Sequence, residues 1–472
     1  MNKLADINTN FSQWYQDVIF EAELVDDSPV RGCYVIRPYG WALWEHMRDY
    51  MDERIKQTGH QNASFPLLIP QSFIHKEAEH VAGFSPQLAV VTHAGGKELE
   101  EPLVIRPTSE TTIHYSFARW IKSWRDLPLK VNQWANVVRW EMRPRPFLRT
   151  TEFFWQEGHT AHETPEQAQE EALLMLNEYV EFIQGQLLIP LIVGKKSESE
   201  KFAGADCTYA MEALMPDGKA LQMGTSHLLS QDFAKAFNIT FQDREKNSAY
   251  PYLTSWGVTT RLIGAVVMTH GDEKGLILPP AVAPIQIALI PIYKNEQEEA
   301  AVKAHFDFIK TAMEQWRITI DDDTQKTPGA KFYHWEMCGV PIRLEIGMRD
   351  AQARQVIMVN RLNGNKQAVH FDQLTDEVDM ALQLLASDLF SRAQKRQSEL
   401  MVVTRSPLTE FGPIMQEQGG AFITGWCQNP ACEQELKKYS AFTRCLLDTH
   451  HVSTCFHCGK SSVQDVLVAK AY

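Results

Sequence analysis

Between Asn132 and His159 the chain reads NQWANVVRWEMRPRPFLRTTEFFWQEGH, and two prolines at its centre, Pro144 and Pro146, limit what this stretch can become. Proline has no amide hydrogen to donate and is confined to edges and loops, so regular strand pairing cannot pass through it. Before the prolines, Val137, Arg139 and Glu141 alternate with Val138 and Trp140. After them, from Glu152 to Glu157, Phe153, Trp155 and Glu157 alternate with Phe154 and Gln156. A period of two is that of a strand with one face toward a cleft and the other toward a core. The segment is therefore expected to form an antiparallel strand-loop-strand that aims Arg139 and Arg149 at one site. The planar, always-charged fork of arginine bonds two oxygens at once, which suits phosphate. A surface hairpin would carry similar charges, so the rest of the chain has to decide.

The pattern R-x-E at Arg139–Glu141, a loop, and R-x-x-x-F at Arg149–Phe153 resembles motif 2 of the class II aminoacyl-tRNA synthetases. RPTSE at Arg106–Glu110, FLRTTEFFWQEGH at Phe147–His159, GTSH at Gly224–His227 and SWGVTTR at Ser255–Arg261 together resemble the prolyl-tRNA synthetases. The likeness extends less sharply from Cys33 to Tyr472. It implies a multi-domain α/β protein: an antiparallel-sheet catalytic core at 1–282, an α/β anticodon-binding domain at 283–396 and a small zinc-bearing α+β domain at 397–472. It also implies the activity, ATP-dependent activation of L-proline to prolyl-adenylate and transfer to tRNA(Pro).

The same resemblance assigns residues. Arg139 would hold the α-phosphate and the proline carboxylate, Arg149 and Arg261 the other phosphates, and Glu141 the adenine or a magnesium ion. Gln222, Thr225 and Thr259 would complete the ATP site. Phe84, Thr108, Glu110, Trp155, Glu157, His159 and His227, with Ser255 and Gly257, would form the proline pocket. Chemistry supports this, because a secondary ammonium needs an anionic acceptor and a buried glutamate needs a cation. No protein nucleophile is required. The wider class usually places an acidic residue before the motif 3 arginine, where this chain has Thr260. In the third segment, Glu336 and Arg343 would face anticodon bases, contacts that base chemistry allows. The helix WALWEHMRDYMDERIKQTG followed by ASFPLLIP resembles motif 1, which implies a homodimer.

Composition narrows the surroundings. At 472 residues the chain can hold two or three cores. No apolar run reaches the roughly 18 residues of a membrane span, and MNKLADINTNFSQW lacks a signal-peptide core, so a cytoplasmic protein without membrane contact is expected. A net charge of −13 argues against indiscriminate nucleic-acid binding, which depends on neutralising phosphates, while leaving room for a local basic surface. Of the 8 cysteines, Cys33, Cys207 and Cys338 stand apart and read as free thiols. Near the C-terminus Cys427 and Cys432 form C-x4-C and Cys455 and Cys458 form C-x2-C, a spacing that brings four thiolates to one tetrahedral ion, with zinc the usual choice. Cys445, His450, His451 and His457 are further ligand candidates, so the set of four stays open. The expected site is closed and structural.

Further local expectations follow. Residues 80–96 read as a loop over the cleft mouth, Thr108 or Ser109 as the cap of a helix begun by Glu110, and SRAQKRQSEL as a helical linker. Only 107 residues separate Phe153 from Arg261, most of them taken by a helix and a hairpin, which leaves no room for an inserted editing domain. Two rivals remain: a threonine-type sister, which would need a catalytic zinc set near motif 2 that this sequence lacks, and a binding module, which would be expected to lose the motif 2 or 3 arginines.

Overall fold

The computed structural model describes residues 4–74 and 88–472. Among these, an 11-stranded sheet dominates. Its order is Met401–Val403, Ala421–Trp426, Gln464–Lys470, Ala441–Leu446, Ile192–Lys195, Cys207–Leu214, Ala220–Ser230, Tyr252–Thr259, Glu152–His162, Leu129–Val138 and Gln61–Asn62. Neighbours are antiparallel except the outermost pair at each end. Strands from the last 75 residues thus join the central strands directly, through Leu446 beside Lys195. That junction of the C-terminal strands with the middle of the chain is invisible to local periodicity.

One face of this sheet is covered by helices. Pro38–Gln57 starts with proline in its first turn, where a missing amide hydrogen costs nothing, and turns Leu43, Trp44, Met47, Met51 and Ile55 inward. Pro165–Gly185 lies alongside, bound to it through Arg54 and Glu178 at 2.7 Å. Together with Arg261–His270, buried along nearly its whole length, they build the main core. Each fully buried large apolar side chain in such a core contributes roughly 1.5–3 kcal/mol. Gly158 shows how closely the layers approach, since a Cβ there would lie 2.0 Å from the Trp256 ring.

Strand register then sets out the other face. Gln133, Glu157, Gly257 and Thr225 lie side by side across four strands, and the next row runs Val131, His159, Ser255 and His227. Residues far apart in sequence therefore share one surface because alternate positions of each strand point to the same side.

Several local expectations change. The first arm of the central hairpin is the strand Leu129–Val138, so Arg139 and Glu141 lie just past its end rather than within it. Val137 is in the core and Trp140 is exposed, which ends the alternation there. The second arm is longer than expected, Glu152–His162. Residues 89–94 and 97–105 form a hairpin instead of a loop, while Phe84 and residues 75–87 lie outside the described residues.

A separate five-stranded sheet is ordered Ile318–Ile320, Ile287–Ile292, Ile342–Gly347, Gln355–Asn360, Lys366–His370. Its first three strands are parallel and the rest antiparallel, around its own apolar core. The fifth strand is an outer one, with four of its five residues exposed. The helix Leu374–Leu400 closes this unit and runs unbroken through the segment expected to be a linker. No helix among the described residues is long and apolar enough to cross a membrane.

Candidate active site

On the open face of the sheet lies a cleft of about 380 Å³. Thr108, Glu110, Arg139, Glu141, Arg149, Trp155, Glu157 and His159 line it from the hairpin side. Gln222, Thr225, His227, Ser255, Gly257, Thr259 and Arg261 line it from the neighbouring strands and the following helix. All the residues assigned from sequence to ATP or proline come together here, apart from Phe84.

The narrow end is a polar pocket with a fixed carboxylate. Glu157 is buried, and its Oε1 accepts from Ser109 Oγ at 2.5 Å and Gln133 Nε2 at 2.7 Å, while its Oε2 faces His159 Nε2 at 3.1 Å. Burial would raise the Glu157 pKa, but these bonds outweigh it and hold the carboxyl below its usual range. Burial likewise opposes charge on His159, yet Glu157 and Glu110 raise its pKa above the ordinary value, so the two behave as an ion pair. Glu110 accepts from Thr108 Oγ1. Ser109 occupies the helix N-cap but makes no capping bond; its hydroxyl is turned to Glu157 instead. Ser109 and Gln133 were missed from sequence. A helix-cap serine and a strand glutamine carry no signal until register brings them beside Glu157.

His227 behaves differently. Burial, aided by His159, pushes its pKa down to about 3, and both ring nitrogens are bonded, to Thr208 Oγ1 and Thr225 Oγ1 at 2.9 Å each. It is therefore a neutral hydrogen-bonding group at any working pH. Three buried polar atoms at the pocket, Trp155 Nε1, Ser255 Oγ and His159 Nδ1, have no protein partner. Buried donors are rarely left so, and a bound ligand or ordered water would satisfy them.

The wide end is cationic. Arg139 is anchored by Nε to the Pro107 carbonyl at 2.9 Å, with its guanidinium 5.5 Å from the Phe153 and Trp155 ring centres. Its outer edge is open to the cleft. Arg261 donates to the carbonyls of Leu148 at 3.2 Å and Gln222 at 3.1 Å. Burial lowers its pKa to about 10, helped by Arg149 and Arg139. Arg149 is more exposed, 3.7 Å from Glu141, and its Nη2 reaches the Tyr472 carbonyl oxygen at 3.4 Å. Tyr472 is held by its amide to the Ala220 carbonyl and by Lys219 over its ring, which places it against the strand Ala220–Ser230. Three guanidiniums with few internal counter-ions suit a polyphosphate.

In the five-stranded unit, Glu336 and Arg343 meet each other, Nη1 to Oε1 at 3.5 Å. Arg343 also pairs with Glu345 at 3.0 Å and lies over Phe332, and it is only 7% exposed. Reaching a base would require it to leave Glu345, a restraint that the sequence did not reveal. At the C-terminal end, the Sγ atoms of Cys427, Cys432, Cys455 and Cys458 lie within 4.8 Å of one another. The Cys427–Cys432 and Cys427–Cys458 separations are 3.8 and 3.7 Å. A tetrahedron with Zn–S bonds near 2.3 Å has edges of about 3.8 Å, so the four thiolates fit zinc. Among the described residues these four cysteines are the ones whose ligand atoms gather within reach of one ion, without Cys445, His450, His451 or His457; His450 and His451 bond Ser462 and Asp465, and Cys445 is buried against Ile192 and Ala210.

A cationic cleft on an antiparallel sheet, built on motifs 2 and 3, defines a class II aminoacyl-tRNA synthetase. Comparison with known families agrees: residues 91–270 match the tRNA synthetase class II core domain (G, H, P, S and T), 286–380 the anticodon binding domain, and 408–472 the prolyl-tRNA synthetase C-terminal domain. The chain is 47% identical to the proline–tRNA ligase of Natranaerobius thermophilus, over 98% of this chain and 96% of that one. It is also 47% identical to that of Alkaliphilus oremlandii, over 100% and 98%. The crystal structure of prolyl-tRNA synthetase from Cryptosporidium parvum with halofuginone and AMPPNP superposes with a TM-score of 0.93 at 40% identity, covering 100% of this chain and 99% of the other. A second structure from that organism, with L-proline and AMP, gives 0.91 at 39%, over 99% of each chain. The chain belongs to the prolyl-tRNA synthetase family, and its reaction is the ATP-dependent joining of proline to tRNA(Pro).

Proposed function

We propose the following division of labour in the cleft. The pyrrolidine ring of L-proline rests against Trp155, with its ammonium on Glu110 and Thr108 and the Glu157–His159 pair beneath. His227, Ser255 and Gly257 close the pocket, and Phe84 belongs to it by resemblance. Arg139 sits where the two substrates meet and orients both the proline carboxylate and the α-phosphate. A carboxylate oxygen attacks the α-phosphorus in line, a new P–O bond forms, and the bond to the β-phosphate breaks to release pyrophosphate. Arg149 and Arg261 neutralise the leaving phosphates, while Gln222, Thr225 and Thr259 hold the nucleotide. A terminal ribose hydroxyl of tRNA(Pro) then attacks the prolyl carbonyl and AMP leaves. The protein's part is positioning and charge stabilisation.

Magnesium accompanying ATP would supply further neutralisation, and the Glu141 carboxylate offers a hard oxygen ligand at the mouth. Glu336 and Arg343 are the anticodon-facing pair. The units divide at 1–282, 283–396 and 397–472, and the protein acts in the cytoplasm, where its tRNA substrate is used.

What carries the reading is the meeting, in one cleft, of the buried Glu157–His159 pair and the Trp155 wall with three arginines. Purified protein is expected to catalyse ATP–pyrophosphate exchange with proline and at least about 100-fold less well, by kcat/KM, with threonine; alanine and cysteine, which fit but bury less, should fall between. Equal rates with threonine would overturn the proline assignment.

Two assembly features are part of the proposal. Cys427, Cys432, Cys455 and Cys458 hold a structural zinc. Leu67, Leu68, Val90, Tyr115 and Trp120, each more than 40% exposed, gather around the short sheet that contains Leu68–Pro70 and the helix Glu110–Trp120, and a second copy of the chain covers them. Native mass spectrometry reads both: twice the 53.9 kDa chain mass with one zinc per chain is expected, and a metal-free monomer would contradict both assignments.

A further inference from the structure

We propose that Arg444, on a strand of the C-terminal unit, is a positioning residue for the ATP end of the cleft and acts by immobilising Glu212. Glu212 is fully buried on the strand Cys207–Leu214. Arg444 Nη2 donates to its Oε1 at 2.9 Å and its Oε2 at 3.0 Å, and Nε reaches Oε2 at 3.2 Å. From the cleft side Lys196 Nζ donates to Oε1 at 2.8 Å. Both oxygens are therefore occupied, by Lys196 just past the neighbouring strand Ile192–Lys195 and by Arg444 on the strand beyond it.

The significance lies in what surrounds this carboxylate. Lys196 and Glu200 line the cleft beside Arg261, and the charge of Glu212 is felt at Arg261. Glu212 lies directly opposite Gln222, whose carbonyl Arg261 holds, and a buried carboxylate with a free oxygen attracts a nearby guanidinium. Without Arg444, Glu212 would compete with phosphate for Arg261. With it, Arg261 stays on the carbonyls of Leu148 and Gln222 and keeps its outward edge for the nucleotide. Of the other carboxylates at the junction, Glu433 accepts from Ser197 and Thr443, while Glu200 shares the field of Lys196 and Arg444 with Glu212 and also has Lys437 within electrostatic reach. A strand of the C-terminal unit is thereby tied to nucleotide binding through a single ion cluster.

The inference rests on Arg261 facing phosphate, and the test separates the two. Steady-state exchange kinetics and AMPPNP calorimetry are run on Arg261→Ala, Arg444→Met, Arg444→Lys and the double variant Arg444→Met/Glu212→Gln. For Arg444→Met, KM for ATP is expected to rise about tenfold with KM for proline and kcat within about twofold of wild type, a split that a merely structural role would not give. Arg444→Lys, which keeps the charge, and the double variant, which removes the freed carboxylate, are expected within about threefold of wild-type ATP affinity. An unchanged ATP KM in Arg444→Met, or a double variant worse than the single, overturns the inference while leaving Arg261's role intact. An Arg261→Ala enzyme with normal ATP affinity overturns both. If Arg444→Met does not fold, the double variant decides: recovery of folding with normal ATP affinity supports the inference, and a tenfold loss overturns it.

Discussion

Replacing Arg139 with alanine is expected to lower kcat/KM for proline-dependent ATP–pyrophosphate exchange by about 10³-fold, the cost of removing a preorganised donor aimed at developing charge. Folding should hardly change. The guanidinium makes one internal hydrogen bond, to the Pro107 carbonyl, and its outer edge is open to the cleft, so little packing is lost. Exchange kinetics beside a thermal melt separate the effects: near-wild-type activity would remove Arg139 from the centre of the reaction, and a collapsed melt would make it structural.

Glu157→Leu is expected to act on stability and binding together. It leaves His159 buried without its counter-ion, strips the Ser109 hydroxyl of its acceptor and costs Gln133 one of its two. Breaking a buried pair by removing one member costs about 3–5 kcal/mol, to be read from chemical denaturation. The pair also predicts a pH window. The His159 pKa is raised in the folded state, so its stabilisation is complete below its ordinary 6.5 and fades as pH rises through the higher folded value. The Glu157 pKa is lowered, so its share is present above its ordinary 4.5 and is lost as pH falls through the lower folded value. Wild-type stability should therefore decline on the alkaline side, above 6.5, and on the acid side, below 4.5; in Glu157→Leu both declines should flatten. A variant with wild-type pH dependence would show that the pair does not act as one.

The sequence was most informative where chemistry is concentrated in short runs. RPTSE, GTSH and SWGVTTR named residues that the fold places around one cleft, and the cysteine spacing named the four thiols that cluster. It was weaker where a residue's role depends on a partner from another strand. Ser109 looked like a helix cap and serves Glu157, Gln133 looked like strand filler and does the same, and Arg343 looked free but is paired with Glu345. Lys196, Glu212 and Arg444 gave no signal, because their meeting depends on pairing between distant strands. Boundaries shifted for a related reason: alternation through Glu141 suggested a strand that Pro144 and the turn end at Val138.

The joining of the last strands to the central sheet also bears on how the protein is made. While a ribosome is still short of residue 441, the strand Ile192–Lys195 has a partner on one side only, and its other edge is an exposed row of amides and carbonyls. Contacts this distant in sequence form slowly. Both the cleft wall that contains Lys196 and the protection of that edge await the end of synthesis, so a nascent chain has every catalytic motif before it has a finished sheet, and chaperone demand should peak in the final stage of translation.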